Sequence, residues 1–444
     1  MLRFKTGKSL ITYTQRSIST SSTLRDVFII SATRTPIGSF GGSLKSLSAT
    51  KLGAIAIQAA VERSGISKDE IQEVFMGNVC QGGVGQAPAR QATIFAGLPK
   101  STICTTINKV CASGMKSVML ASQSLICGHQ QIVVAGGMES MSNVPFYLAR
   151  GDTKYGGDGI VFDGLTDVYN KVHMGSCAEN TAKQCGITRA QQDDFALSSY
   201  KKSAEAWKQG HFAQEIVPVN VPQKKGKPDI VVSEDEEFKR IDVEKFKKLN
   251  TVFQKENGTV TAGNASTIND GAAALVLTNE NVVKELNLKP LARVVAFQDG
   301  ATDPIDFPIA PAFAIPKLLS KSGISKDDIA LWEINEAFSV VVLANIMKLD
   351  LDPSKINVHG GAVSLGHPIG MSGARIVVHL AHALKPGQKG VASICNGGGG
   401  ASSILIEHNY KLVQIPYILH MDQNSLMLDI LQLPFSNLWK QTFL

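Results

Sequence analysis

Three glycine-rich segments of this chain hold the side chains best suited to chemistry. In the first, Asn108-Lys-Val-Cys-Ala-Ser-Gly-Met-Lys-Ser117, Cys111 stands where the chain turns into a helix-like apolar pattern, Met115 to Ile126. A helix start offers free N–H groups and a partial positive charge, which lower a thiol's pKa and favour the reactive thiolate. Ala112, Ser113 and Gly114 are small enough to let a substrate approach. A single cysteine is more often a buried apolar residue than a nucleophile, so Cys111 gains meaning only from its partners.

The second segment is Gly360-Gly-Ala-Val-Ser-Leu-Gly-His-Pro-Ile-Gly-Met-Ser-Gly-Ala-Arg375. Its His367 precedes Pro368, a residue suited to a first helical turn, and a helix is expected through Leu384. An imidazole is the natural base for a thiol nucleophile. A capping or core histidine is the plain alternative, and His359 is the rival base. The third segment, Cys395-Asn-Gly-Gly-Gly-Gly-Ala-Ser-Ser403, follows the strand-like Gly390-Val-Ala-Ser-Ile. Consecutive glycines let backbone N–H groups face a ligand, and Cys395 beside them is a second acid or base. Glycines of this kind also make ordinary tight turns. Asn335, in Trp332-Glu-Ile-Asn-Glu-Ala-Phe338, ends an expected strand, where an amide can hold a water or a carbonyl oxygen; a turn or cap asparagine is the alternative.

Strands and helices alternate around these segments. Asp26 to Ile30, Ile71 to Met76 and Ile132 to Ala135 read as buried strands, and Ala49 to Ser64 as a helix ending at Gly65. The pattern is that of a layered α/β fold. A repeat supports duplication: Ser64-Gly-Ile-Ser-Lys-Asp-Glu-Ile71 returns as Ser322-Gly-Ile-Ser-Lys-Asp-Asp-Ile329, each copy between a helix and a strand. The expected organisation is two similar halves, 26–285 and 286–408, about a pseudo-twofold axis. In the repeat register His367 falls close to the place of Cys111, so the two helix starts meet at the interface. A polar excursion, about 142–265, reads as an inserted loop domain over the end of the sheet, where substrate contacts usually sit. Its basic run at 224–228 reads as a solvated face.

The chain has 444 residues, 44% hydrophobic and 18% charged, enough apolar mass for two cores or one large one. The net charge of +6 is spread without the dense basic block a nucleic-acid footprint needs. No apolar run reaches the length of a membrane span. Seven cysteines form no CxxC pair, which argues against a metal site or disulfide framework. Residues 1–25 carry Arg3, Lys5, Lys8, Arg16 and Arg25 with no acid before Asp26 and crowded hydroxyls at 17–23. This reads as a mitochondrial presequence, with a disordered basic tail as the alternative.

Together, Val110-Cys-Ala-Ser-Gly, Asn335-Glu-Ala-Phe, Gly360-Gly-Ala-Val-Ser-Leu-Gly-His-Pro and Cys395-Asn-Gly-Gly-Gly-Gly resemble the thiolase family over about 26–408. The resemblance is closest to its mitochondrial branch that interconverts acetyl-CoA and acetoacetyl-CoA, as in Gln254-Lys-Glu-Asn-Gly-Thr-Val-Thr, Ile305-Asp-Phe-Pro-Ile-Ala and Asp167-Val-Tyr-Asn-Lys-Val-His-Met-Gly. It implies a thiolase fold, two duplicated α/β halves in a layered αβαβα core with an inserted loop domain. It also implies roles: Cys111 as the acylated nucleophile, His367 as its base and an oxyanion donor, and Asn335 as holder of the water that completes that site. The N–H groups of Cys111 and Gly397 would form a second oxyanion hole, and Cys395 would move the α-proton. CoA, a substrate, would meet Tyr200, Arg240, Asp242, Lys245 and Ser266. No redox cofactor is implied. A potassium ion as activator would meet Tyr200, Ala262, Gly263, Ala265 and Val363; Gly263 stands where relatives carry Ala. Phe307 and Pro308 match positions linked with a 2-methyl branch on the substrate, and His359 stands where relatives carry Asn. A homotetramer, a dimer of dimers, in the mitochondrial matrix is implied, with acetyl-CoA and acetoacetyl-CoA as ligands and no nucleic acid. The competing expectations are a longer-chain 3-ketoacyl-CoA thiolase, a non-catalytic CoA or lipid carrier on the same scaffold, and a redox role joining Cys111 to Cys395. The segment 409–444 has no counterpart in the family and reads as an atypical tail.

Overall fold

The protein is described by a computed structural model covering residues 25–151, 155–223 and 226–408. The expectations for the presequence, apart from Arg25, and for the tail 409–444 lie outside these residues. Five strands come from the first half: β1 (Val27–Arg34), β2 (Glu73–Gly77), β3 (Ile103–Ile107), β4 (Ile132–Ser140) and β5 (Asn269–Asn279). Four come from the second: β6 (Ala292–Ala301), β7 (Ile329–Ile334), β8 (Lys389–Asn396) and β9 (Gly400–His408). Every residue of β1, β4 and β5 is buried, so both faces of these strands need cover.

The cover is helical. On one side α1 (Ala49–Ser64) packs on β5, β4 and β1. On the far side of the second half, α5 (Pro311–Ser322) packs on β6 and β9. Between them lie α2 (Ser113–Ile126) and α7 (Ile369–Ala383), which pack on each other and on strands of both halves. The result is the expected αβαβα layering. Helix α7 is buried all round from Ile369 to Ala381, as a central-layer helix must be.

The two halves share more than a packing interface. The sheet runs β7-β8-β9-β6-β1-β5-β4-β2-β3, with the two-residue strand Gly38–Ser39 on β5. The join is backbone pairing of β1 with β6, Val27 opposite Val294 through Ile29 opposite Ala292. Outward from the join the strand order repeats. In the first half β2 pairs in parallel with β4 and β3, and in the second β7 pairs in parallel with β8. An isolated parallel bridge from Trp332 to Ile356 occupies the place of the β2–β3 pairing. The repeated octapeptides adopt one conformation: Gly65 (φ 72°) and Gly323 (φ 67°) end their helices left-handed, and Ser67 and Ser325 then cap a short 3-10 turn.

The excursion between Ser140 and Asn269 carries α3 (Met174–Cys185) and α4 (Arg189–Lys208), both packed on α6 (Ser339–Leu349) of the second half, and three small two-stranded sheets. Buried ion pairs and apolar contacts tie it to the core. Arg34 of β1, fully buried, meets Glu215 at 2.5 Å and Asp235 at 2.7 Å, both on the excursion and both buried. Met174, Cys177 and Ala178 of α3 share an apolar cluster with Phe307, Val340 and Cys395.

Candidate active site

The turn before α2 is built to present Cys111. Val110 sits at φ 47°, a left-handed conformation that costs a β-branched residue energy. Ser113 holds it there: its Oγ accepts from the Lys109 N–H at 2.8 Å and donates to the Val110 carbonyl at 2.6 Å. The Cys111 sulfur lies at the foot of the helix, buried, with the backbone N–H groups of Gly397 and of Cys111 itself near enough to favour its thiolate. The thiol is not acidified as the sequence suggested. Burial pushes it up to about 11, the two N–H groups oppose that rise, and the Glu139 carboxylate adds to it. Desolvation outweighs the helix start here, so the resting thiol is neutral and needs a base.

His367 has the form of that base. Gly366, at φ 106°, turns the chain into α7, and the His367 N–H is anchored on Asn269 Oδ1 at 2.9 Å. His367 Nδ1 lies 2.6 Å from Ser372 Oγ, and that hydroxyl donates to the Pro368 carbonyl at 3.0 Å. The serine hydrogen is thereby committed, so Nδ1 carries the imidazole proton and Nε2 presents a lone pair. Nε2 is buried without a hydrogen-bond partner among the described residues. Burial, then the charge of Arg375, lowers the imidazole to about 3, so it stays neutral.

Cys395 is the last residue but one of β8, fully buried, directly opposite Ala401 across the β8–β9 hairpin. Burial, then the nearby Cys111, raises its thiol well above the ordinary range. Beyond it Gly398 (φ 85°) and Gly399 (φ 83°) make the tight return that leaves the Gly397 N–H facing Cys111. Asn335 lies one residue past β7, with its N–H on the Ser393 carbonyl at 3.0 Å. Its side chain is fully buried, and neither amide atom has a partner among the described residues. Such a group costs about 1–3 kcal/mol and calls for a reason.

Close backbone contact brings the two helix starts together. A Cβ on Gly114 would stand 2.7 Å from the Ala374 nitrogen and 3.0 Å from the Gly370 carbonyl oxygen. One on Gly373 would stand 2.5 Å from the Met115 nitrogen. Cys111 and His367 therefore precede helices that touch near their first turns. Sequence reasoning passed over Glu139, which locks this region. Its carboxylate receives the N–H groups of Val79 (3.0 Å), Cys80 (3.2 Å) and Gly370 (2.9 Å) and the Asn78 amide (2.8 Å). Burial raises it to about 7 in spite of those bonds. An acid within the apolar Ile132–Ser140 strand was the available signal. Ser372 was also missed; a hydroxyl in the first turn after a candidate histidine was its signal.

Of the expected CoA residues, Tyr200 lies on α4 and Arg240, Asp242 and Lys245 on the stretch that follows it, while Ser266 stands at the end of the excursion, just before β5. Tyr200 packs edge-on against Phe246 at 6.5 Å, and burial first, then Glu237, raises its phenol to about 12. Arg240 and Lys245 are exposed; Asp242 caps the turn Val243–Phe246 and pairs with Lys245 at 3.1 Å. Ser266 bonds the Ala337 carbonyl through its N–H and its Oγ, at 3.0 and 2.8 Å. Of the cation set, Tyr200 and Val363 share a cluster with Phe246, and Gly263 lies so close under the Phe246 ring that no Cβ fits. Gly263 is thus a packing requirement here rather than added flexibility. Ala262 is exposed, while Ala265 packs in the cluster of Met174 and Cys395. Phe307 is in that same cluster, and Pro308 accepts from Asn345 at 2.8 Å. The rival base His359 belongs to another group: its Nδ1 is 3.0 Å from His379 Nε2, and its ring stacks on His211 at 4.2 Å. All seven cysteines are free thiols.

Family models described as "Thiolase, N-terminal domain" and "Thiolase, C-terminal domain" match residues 27–281 and 288–408. The chain is 68% identical over 397 residues to the mitochondrial acetyl-CoA acetyltransferase of Mus musculus, covering 88% of this chain and 93% of that protein. It is 66% identical over 401 residues to the Homo sapiens protein of the same name, covering 89% and 94%. Among solved structures, the Acat5 thiolase of Ascaris suum in complex with coenzyme A is similar at TM-score 0.83 and 52% identity, over 86% of this chain and all of that one. The Bacillus anthracis acetyl-CoA acetyltransferase is similar at TM-score 0.84 and 40% identity, over 87% and 100%.

Proposed function

The chain belongs to the thiolase family, and from that premise we propose that it interconverts two acetyl-CoA with acetoacetyl-CoA and CoA through an acetyl-Cys111 intermediate. It is an acyltransferase, and the steps proposed for it call for no redox cofactor. The observation that carries the reading is the His367 Nε2 lone pair and the Asn335 amide, both buried and unpartnered among the described residues, with the Gly397 N–H beside the Cys111 sulfur.

In the thiolysis direction, Cys111 attacks the 3-keto carbon of acetoacetyl-CoA as its proton passes to His367 Nε2. The carbon–carbon bond breaks, and the Cys395 S–H protonates the departing enolate carbon, giving acetyl-CoA. CoA then attacks acetyl-Cys111, its thiol proton returns to Cys395, and the Cys111 sulfur regains a proton from His367. Condensation is the reverse. Covalent capture divides the difficult bond change into two easier steps. Each oxyanion needs preorganised donors: N–H groups of Cys111 and Gly397 for one, His367 and an Asn335-held water for the other. Because the resting thiol is neutral, the base rather than a standing thiolate starts the reaction.

CoA would extend over Tyr200, Arg240, Asp242, Lys245 and Ser266, where the two exposed cations suit its phosphates. A potassium ion on the carbonyls of Ala262, Gly263, Ala265 and Val363 with the Tyr200 phenol would order this wall, since a hard cation takes oxygen ligands. The Phe307 and Pro308 wall beside Cys395 would admit a 2-methyl branch. The edge strand β3, with Ile103 exposed, and the hairpin of Phe146–Leu148 and Tyr155–Asp158 favour a dimer of dimers. The relatives' names place them in mitochondria, and the basic leader fits delivery to the matrix.

Mass spectrometry of the intact protein after exposure to acetyl-CoA tests the function. One acetyl adduct, absent from Cys111→Ser, is the expected result. An unmodified wild-type chain overturns the reading.

A further inference from the structure

The Cys111 turn is strapped to the second half by one side chain. Lys109, two residues before the nucleophile, crosses to the β6–β9 pair. Its ammonium reaches Asp299 Oδ1 at 2.6 Å, Ser402 Oγ at 2.7 Å and the Ala401 carbonyl at 3.2 Å, so all three of its hydrogens are taken. Asp299 is the hub. Its other oxygen accepts from Lys116 at 2.7 Å, and Ser402 Oγ donates to Oδ1 at 2.7 Å. Burial alone would raise the Asp299 carboxyl, yet the bonds from Lys109, Lys116 and Ser402 hold it at about 2, so it is ionised throughout the neutral range.

The residues gripped are those that fix the reacting groups. Asp299 is register-paired with Ser402, and Ala401 with Cys395. Gly397 lies within the same hairpin turn. At the other end, Lys109 bonds Ser113 through its N–H and accepts from Ala112 through its carbonyl, which brackets the strained Val110. Charge alone does not account for the arrangement: burial, the N–H groups of Gly397 and Cys111, and Glu139 set the thiol's proton affinity.

We propose that Lys109, locked on Asp299, Ser402 and the Ala401 carbonyl, is a positioning residue that fixes the Gly397 N–H and the Cys395 thiol relative to the Cys111 sulfur. Lys116 shares the load by holding the second oxygen of Asp299. The inference rests on the acetyl-Cys111 reading.

The test compares full-length Lys109→Met, Lys109→Arg and Asp299→Asn with wild type after acylation by carbonyl-labelled acetyl-CoA. Misplacement of the donor predicts a kcat reduced roughly 10- to 100-fold in Lys109→Met with the KM for acyl-CoA little changed. It also predicts a higher-frequency thioester carbonyl stretch in the acetyl-enzyme, because the Gly397 hydrogen bond is weakened. Lys109→Arg keeps the pairing with Asp299 and should recover part of both effects. Asp299→Asn, which keeps the shape of the hub, should move the carbonyl band in the same direction by less. An unshifted band in the acylated variants, or an unreduced kcat, overturns the proposal even where stability falls. Failure of the wild-type chain to acylate instead overturns the reading beneath it.

Discussion

The backbone N–H of Gly397, from the second half of the chain, lies beside the sulfur of Cys111, from the first, and favours its thiolate. A donor already aimed at the nucleophile's sulfur is suitably placed for an acyl oxygen bound to that sulfur. The donor comes from a glycine turn and the nucleophile from a helix start, so their relation depends on how the halves are held together.

The division of labour between the two thiols is separable. Cys111→Ser should form no acetyl adduct. Cys395→Ser should still be acetylated by acetyl-CoA but lose condensation, read as acetoacetyl-CoA formation. Loss of both steps in Cys395→Ser would reassign that residue.

Removing the Asn335 amide should separate activity from stability. The side chain forms no hydrogen bond among the described residues, so Asn335→Ala deletes a desolvation penalty and creates a small cavity, two effects of opposite sign. The thermal midpoint should stay near wild type while kcat falls about 100-fold, the scale of a lost oxyanion contact. A large drop in the midpoint would instead mark Asn335 as structural.

The thiol's elevated pKa has a kinetic signature. With Cys111 near 11 and His367 near 3, the free enzyme holds a neutral pair across the neutral range. Only the thiolate is alkylated, and its fraction grows as pH rises towards 11. Alkylation by iodoacetamide should therefore climb about tenfold per pH unit from 7 to 9, following the thiolate fraction. A plateau reached near pH 6 or 7 would reveal a preformed ion pair and refute this account.

Gly114→Ala should disturb both helix starts at once. The new methyl would press on the backbone of Ala374 and Gly370, which cannot move independently of His367. Overpacking should cost about 1–3 kcal/mol in denaturant unfolding, and kcat should fall with it. A stable variant with full activity would show that this contact is not tight.

His359 should matter for stability and not for turnover. The Glu215 carboxyl is buried, but Arg34 and His379 hold it well below its usual range as an acceptor, 2.8 Å from His379 Nδ1. His379 Nδ1 therefore donates to it, and His379 Nε2 shares a hydrogen with His359 Nδ1 at 3.0 Å. His359→Ala leaves that buried nitrogen without its partner, at a cost of about 1–3 kcal/mol in chemical denaturation. An equal loss of kcat in the folded variant would place His359 in the mechanism.

Much of the scaffold could be read from pattern. The helix Ala49–Ser64 and its stop at Gly65 follow from apolar spacing and a glycine able to turn left-handed. The repeated octapeptide announces two equivalent connections because its capping serine, its glycine and its buried isoleucine each act locally. Burial of the long strands is likewise written in their apolar runs. The expected bounds of Ile132–Ala135 fell short because Gly136 and Gly137 look like a strand end, whereas β4 continues to Ser140. These glycines extend the strand because neighbouring backbone leaves no room for side chains there.

The sequence by itself determined which residues could do chemistry and which local structures would carry them, because capping, periodicity and glycine conformations act over a few residues. Only the tertiary structure decided the state of the thiol. Burial, a property of the assembled layers, overrode the helix start and made Cys111 depend on a base. The fold alone also brought out the ties of Glu139 and Lys109. Each joins segments far apart in the chain, and a contact of that kind leaves no periodic trace in the residues that make it.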